Sequence, residues 1–160
     1  MAPQQYSLTG WQQFALVVLR FSIGWHLFYQ GFGKIVAVDW SSYGYLSASW
    51  GPFLWIAESP TLLALSDFVM VWGLIVTGIL LMIGLFSRVA AIGGMLLLLL
   101  IYIAMPPLDY AGFVISTAEG SELYVNKTLI EVLALMVVAS FPTGNMLGLD
   151  IIVDHWRKQS

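Results

Sequence analysis

The sequence predicts an all-α integral membrane protein: a four-helix transmembrane bundle with a long aromatic-rich outer loop after the first helix. Two observations lead there. The chain is 59% hydrophobic and only 9% charged, against about 25% charged in soluble domains, and its mean hydropathy is +0.86. Charge is also absent in blocks: between Asp67 and Arg88, between Arg88 and Asp109, and from Val132 to Leu149. About 20 apolar helical residues cross the hydrocarbon core, and each block is long enough. Spans are expected near residues 12–35, 68–86, 89–106 and 128–148, forming one domain over residues 1–160.

Taken in order, residues 1–10 form a polar lead-in, with Trp11 placed to anchor at an interface. The first span is not expected to be a cleaved signal: no basic region precedes it, it contains Arg20, and no small-residue cleavage site follows. The loop near 36–67 holds Trp40, Tyr43, Tyr45, Trp50 and Trp55, broken by Gly51-Pro52 and Ser59-Pro60. It is too short to span, so it lies along the interface as a belt or folds over the bundle mouth. Spans two and three form a hairpin around Ser87-Arg88, where Gly73 with Thr77, and Gly93-Gly94, suit close helix packing. Pro106-Pro107 closes span three, and a loop carrying Glu119-Gly120 leads to span four.

Orientation follows from basic residues. Arg88, Arg157 and Lys158 mark one side, while the other loops hold only Lys34 and Lys127. The expectation is a multi-pass chain with both termini cytoplasmic. The absence of cysteine excludes a dithiol relay and thiolate metal sites in this chain.

The first span carries Arg20, His26, Gln30 and Lys34 where lipid discourages polar groups. With about 100° per residue, Arg20, Gly24, Leu27, Gly31 and Lys34 share one stripe, and Phe21, Trp25, Tyr29 and Phe32 lie opposite. His26, Gln30 and Lys34 form an adjoining ridge at four-residue spacing. On span four, Lys127 and Glu131 are also four apart, with Glu131 about one turn below the outer surface. That depth suits a Lys34–Glu131 or Gln30–Glu131 contact, while Arg20 lies deeper and needs a carbonyl, Thr77 or an anion.

Each residue has a plainer reading beside the functional one. Lys34 and Arg20 could snorkel to the interfaces, and His26 could be an interhelical hydrogen-bond residue. Glu131 is harder to explain so, because a carboxylate below the surface wants a cation or a proton. The functional reading makes His26 and Glu131 the catalytic pair, with Arg20, Gln30, Lys34, Asn126 and Lys127 binding substrate. Asn126-Lys127-Thr128 matches a glycosylation pattern, but at the membrane start it is read as coincidence. A bis-histidine haem needs two ligands at one depth, which His26 and His155 do not supply; no metal site is expected.

Arg20-(x3)-Gly24-(x6)-Gly31-(x2)-Lys34, Gly78-(x5)-Gly84-(x3)-Arg88 and Gly148-Leu149-Asp150 together resemble the signature of the DoxX/DoxD family. The segment Tyr102 to Pro107, and Glu119-Gly120 through Val125-Asn126 to Leu129-Ile130-Glu131, are similar to one branch of it. The resemblance implies a four-helix subunit, in some members the quinone-linked small subunit of thiosulfate:quinone oxidoreductase, in others a membrane partner of redox or stress proteins.

The leading expectation is therefore a redox-associated subunit of the bacterial inner membrane that binds a quinone or small anion in an outward-opening pocket. A second redox or envelope subunit, or a further copy of the chain, would accompany it in the lipid bilayer; nucleic acid would not. Two alternatives are a non-catalytic scaffold whose polar stripe docks a partner helix, and a small-anion transporter.

Overall fold

The computed structural model describes residues 8–49, 51–104 and 125–157. Trp50, Pro106-Pro107, Asp109, Glu119-Gly120 and Lys158 lie outside the described residues. All regular elements described are helices: α1 (Gly10–Val36), α2 (Tyr43–Leu46), α3 (Pro52–Glu58), α4 (Pro60–Ile83), α5 (Ser87–Ala104), α6 (Lys127–Ser140), α7 (Thr143–Met146) and α8 (Asp150–Arg157).

Helix α1 starts at a capping box, in which Thr9 Oγ1 accepts from the Gln12 amide and Gln12 Oε1 accepts from the Thr9 amide. It packs mainly on α4, and α5 packs mainly on α6. The core between them is Ile23, Leu27, Leu74, Leu81, Leu98, Leu135 and Val138. The axis-to-axis approach of α1 and α4 depends on glycine. A Cβ on Gly78 would stand 2.5 Å from the Phe28 amide nitrogen and 2.7 Å from the Gly24 carbonyl oxygen. Both neighbours are backbone and cannot step aside, so only hydrogen fits there. Gly73, by contrast, faces a flexible Leu97 methyl on α5, and the closest backbone contact lies one turn away from it, at Gly24 and Gly78.

Two helix boundaries differ from those expected. Helix α4 begins at Pro60, eight residues before 68, because proline suits the first helical position. Asp67 thus sits inside a helix, and its charge is absorbed locally: its carboxylate accepts from Ser41 Oγ at 2.9 Å and the Ser42 amide at 2.6 Å. These bonds tie the segment carrying α2 and α3 onto α4, where Leu46 and Ala57 pack with Ala104. Burial pushes the phenol of Tyr45, beside this network, above its ordinary value.

At the other boundary, α6 stops at Ser140 rather than near 148. Pro142 cannot continue the helix, and Phe141 before it is extended, with φ −112° and ψ 144°. The 14 residues of α6 are about 21 Å long, short of the roughly 30 Å hydrocarbon core. The chain then turns back through α7 into α8.

Helices α4 and α5 are long and apolar enough to cross a membrane. The outward surface supports that reading more directly. Val18, Phe21, Trp25 and Phe32 of α1, Phe68, Trp72 and Val76 of α4, Val89, Leu96 and Leu100 of α5, and Ile130 and Leu133 of α6 are all exposed. A continuous apolar jacket of this extent matches lipid rather than water. The buried stripe on α1, in contrast, contains Arg20, Gly24, Leu27 and Gly31.

Candidate functional site

Two polar sites emerge, one at each end of the helices. The first joins α1 to the start of α6. His26 Nε2 lies 2.8 Å from Glu131 Oε1, and Lys127 Nζ is 3.8 Å from the same oxygen. Gln30, one turn after His26, places its amide 2.6 Å from the same imidazole nitrogen and reaches towards Glu131. Glu131 is 12% exposed and His26 34%; the second carboxylate oxygen, Oε2, is buried with no hydrogen-bond partner.

The sharing of one imidazole nitrogen has a chemical consequence. Nε2 holds either a hydrogen or a lone pair. If it holds the hydrogen, it donates to Glu131, and the carbonyl face of the Gln30 amide suits it. If it is bare, its single lone pair accepts from either the Gln30 NH2 group or a protonated Glu131 carboxyl, not both. Orientation of the Gln30 amide is thus coupled to which side of the pair carries the proton. Four of the seven residues expected at a site (His26, Gln30, Lys127 and Glu131) meet here.

The remaining three lie elsewhere or are otherwise engaged. Lys34 stands over the Trp40 ring at 4.9 Å from its centroid, a cation–π contact; the cation beside Glu131 is Lys127, not Lys34. Asn126 is committed to helix geometry: its side chain accepts from the Leu129 amide at 3.0 Å as the N-cap of α6.

Arg20 belongs to the opposite end. It is 2% exposed, and its guanidinium donates to the Thr143 and Leu147 carbonyls, each at 2.6 Å. Backbone carbonyl partners, rather than Thr77, hold it; Thr77 Oγ1 instead donates to Gly73 O within its own helix. The two accepting carbonyls belong to the first residue of α7 and to its C-cap, Leu147. Around them the chain is sewn together. Asp150 accepts from the Phe86 amide at 2.6 Å and the Ser87 amide at 3.1 Å, capping the start of α5 from a distant part of the chain. Its own amide donates to Gly84 O at 2.9 Å.

Gly84 has φ +70°, and a Cβ there would meet Gly148 Cα at 2.7 Å and both terminal nitrogens of Arg20 at 3.0 Å. A Cβ on Gly144 would collide with the Asp150 carboxylate. Arg20, Gly84, Gly148 and Asp150 therefore form one latch at the end where α4 turns into α5. Spacing along the sequence does not disclose it, because its three stretches, at Arg20, Gly84 and Gly148–Asp150, are more than sixty residues apart; the available signal was that all four residues fall in the motifs that carry the family resemblance.

Beside the latch is a cleft of about 460 Å³, lined by apolar side chains together with Arg20 and Ser22. It lies on the latch side of the helices, away from Glu131. The polar stripe of α1 is covered by this chain's own helices: Gly24 and Gly31 by α4, and Arg20 by the segment around α7. Among the described residues no group of three or more histidine, cysteine or acidic residues could hold a metal ion.

A family model described as DoxX matches residues 15–107, more than half of the chain. The matched stretch includes Arg20, His26 and Gln30 and ends before Lys127 and Glu131. No curated protein and no solved structure matches.

Proposed function

The chain belongs to the DoxX family, a family of membrane proteins often linked to redox chemistry, and from that premise we propose that it is a redox-associated membrane subunit whose His26–Glu131 pair exchanges protons with a bound quinone. The observation that carries this reading is the 2.8 Å contact between His26 and a largely buried carboxylate whose Oε2 has no partner. An acid and a base in contact, with one carboxylate oxygen left unpartnered, suit general acid–base work. The chain crosses the membrane four times in this reading, with the shorter α6 completing the set and the Arg88 side cytoplasmic.

The side chains suit the polar end of a quinone: Lys127 offers N–H donors to a carbonyl oxygen, and the Glu131 carboxyl, whose Oε2 is buried and unpartnered, carries the exchangeable proton. When bound, a quinone accepts two electrons and two protons to give the quinol, the electrons coming from a reducing partner subunit. His26 holds a proton at Nε2 and passes it along the 2.8 Å contact to Glu131. Gln30 turns its amide to match. Lys127, at 3.8 Å and four residues before Glu131, offsets the charge of the deprotonated carboxylate. Arg20 takes no part, being held in the latch.

A scaffold role through the polar stripe is less well supported, since that stripe is buried inside this chain. A partner helix would meet the aromatic face of Trp25 and Tyr29 instead.

The test is Glu131→Gln, which keeps the shape of the side chain and removes its proton exchange. Quinone reduction should be measured in native membranes together with the amount of folded protein. The rate is expected to fall about 100-fold or more, the usual scale of a lost acid–base group, with folding unchanged. An unaltered rate would sink the assignment.

A further inference from the structure

The cleft beside the latch takes no part in the reading above, and its lining is unusual. Val18 and Phe21 of α1, Met82 of α4 and Leu147 form apolar walls, and Arg20 and Ser22 supply the polar lining. Arg20 is 2% exposed. A guanidinium has five N–H donors; one from each terminal nitrogen is spent on the Thr143 and Leu147 carbonyls. Its Nε is buried with no hydrogen-bond partner. Asp150 attracts it electrostatically, but both oxygens of that carboxylate are taken by the Phe86 and Ser87 amides. A buried cation answered only by carbonyl dipoles and a carboxylate engaged elsewhere favours a further anion.

The setting of the cleft identifies the kind of anion. Val18 and Phe21 are exposed on the apolar jacket, so the cleft opens sideways, towards lipid. A free ion would meet one cation and otherwise apolar walls, and would give up its hydration for little return. An amphiphile satisfies both parts: an acidic head at Arg20 and Ser22, and an alkyl chain along Val18, Phe21 and Met82. The depth agrees. Arg20 lies against the Gly84 turn where α4 passes into α5, and Ile152 and Trp156 of α8 at this end are exposed, as amphipathic groups are at the headgroup level.

We propose that this lateral cleft binds one anionic phospholipid, with its phosphate against Arg20 and Ser22 and an acyl chain between α1 and α4.

The purified full chain would be exposed to equal amounts of phosphatidylglycerol and phosphatidylcholine, and retained lipid read by native mass spectrometry. Phosphatidylglycerol should be retained at least about tenfold over phosphatidylcholine, and millimolar inorganic phosphate should not displace it. Val18→Trp, which fills the cleft from its rim and leaves the Arg20 bonds intact, should remove that preference. Should that variant fail to fold, the wild-type protein still decides: phosphatidylglycerol with a photoreactive acyl chain should cross-link to the peptides containing residues 17–22 or 82–83. Equal retention of both lipids, displacement by phosphate, cross-links only at other peptides, or a quinone in place of phospholipid at these peptides would each overturn the assignment.

Discussion

Arg20 and Glu131 are both ionisable groups placed where lipid penalises them, and the molecule resolves the two in opposite ways. Arg20 is fixed in place by two backbone carbonyls at 2.6 Å, with its charge and its Nε left for the proposed lipid phosphate. Replacing it with methionine strands the Leu147 carbonyl, leaves Thr143 O with only the 3.3 Å bond from the Leu147 amide, and leaves Asp150 without its nearby cation. A stranded carbonyl costs about 1–3 kcal/mol, so Arg20→Met is expected to lower stability by about that amount, read from unfolding in detergent. A loss under about 1 kcal/mol would show that the latch holds little. Glu131 is met by His26 and Lys127 but keeps one oxygen unpartnered. That a carboxylate one turn into the last helix needed a partner was legible in the sequence. That the partner is His26, with Lys34 drawn away to Trp40, was not, because the eight residues between them along α1 are only about 12 Å of depth, with Gln30 between, and several side chains could have reached.

Between helices, the decisive contact is a pair of glycines. Gly24 and Gly78 let the backbones of α1 and α4 touch, and any Cβ at Gly78 meets main-chain atoms. Gly78→Ala should therefore destabilise the protein by about 1–3 kcal/mol, the usual cost of overpacking. Gly73→Ala should cost clearly less, since the atom in its way is a methyl of Leu97 that can rotate. Thermal midpoints of the two variants in the same detergent check the order; equal shifts would refute it. The sequence marks both glycines as small residues in an apolar helix, and their spacing alone does not rank them. Which one faces the neighbouring backbone depends on the rotation of α4, and that is set by the packing of Leu74 and Leu81 into the core. The early stop of α6 was, by comparison, written at Phe141-Pro142 and masked by the apolar run that continues past it.

For the molecule as a whole, the four-span reading proposed above puts the two ends in different compartments. The native chain has no cysteine, so single cysteines report cleanly. Ala48→Cys, in the segment carrying α2 and α3, should react with an impermeant thiol reagent on intact cells. Gln13→Cys, near the start of α1, should react only after the membrane is opened; the reverse pattern would invert the topology. What the sequence determined by itself was the apolar, all-helical character of the chain, since the spacing of charge and the periodicity of hydrophobic residues are local properties. The family, too, was readable from the order of its glycines and charges. Only the tertiary structure decided which polar groups share a site. It divides them between a His26–Glu131 pair at one end and an Arg20 latch at the other, because those meetings join residues more than a hundred positions apart, through helix rotations that no local pattern encodes.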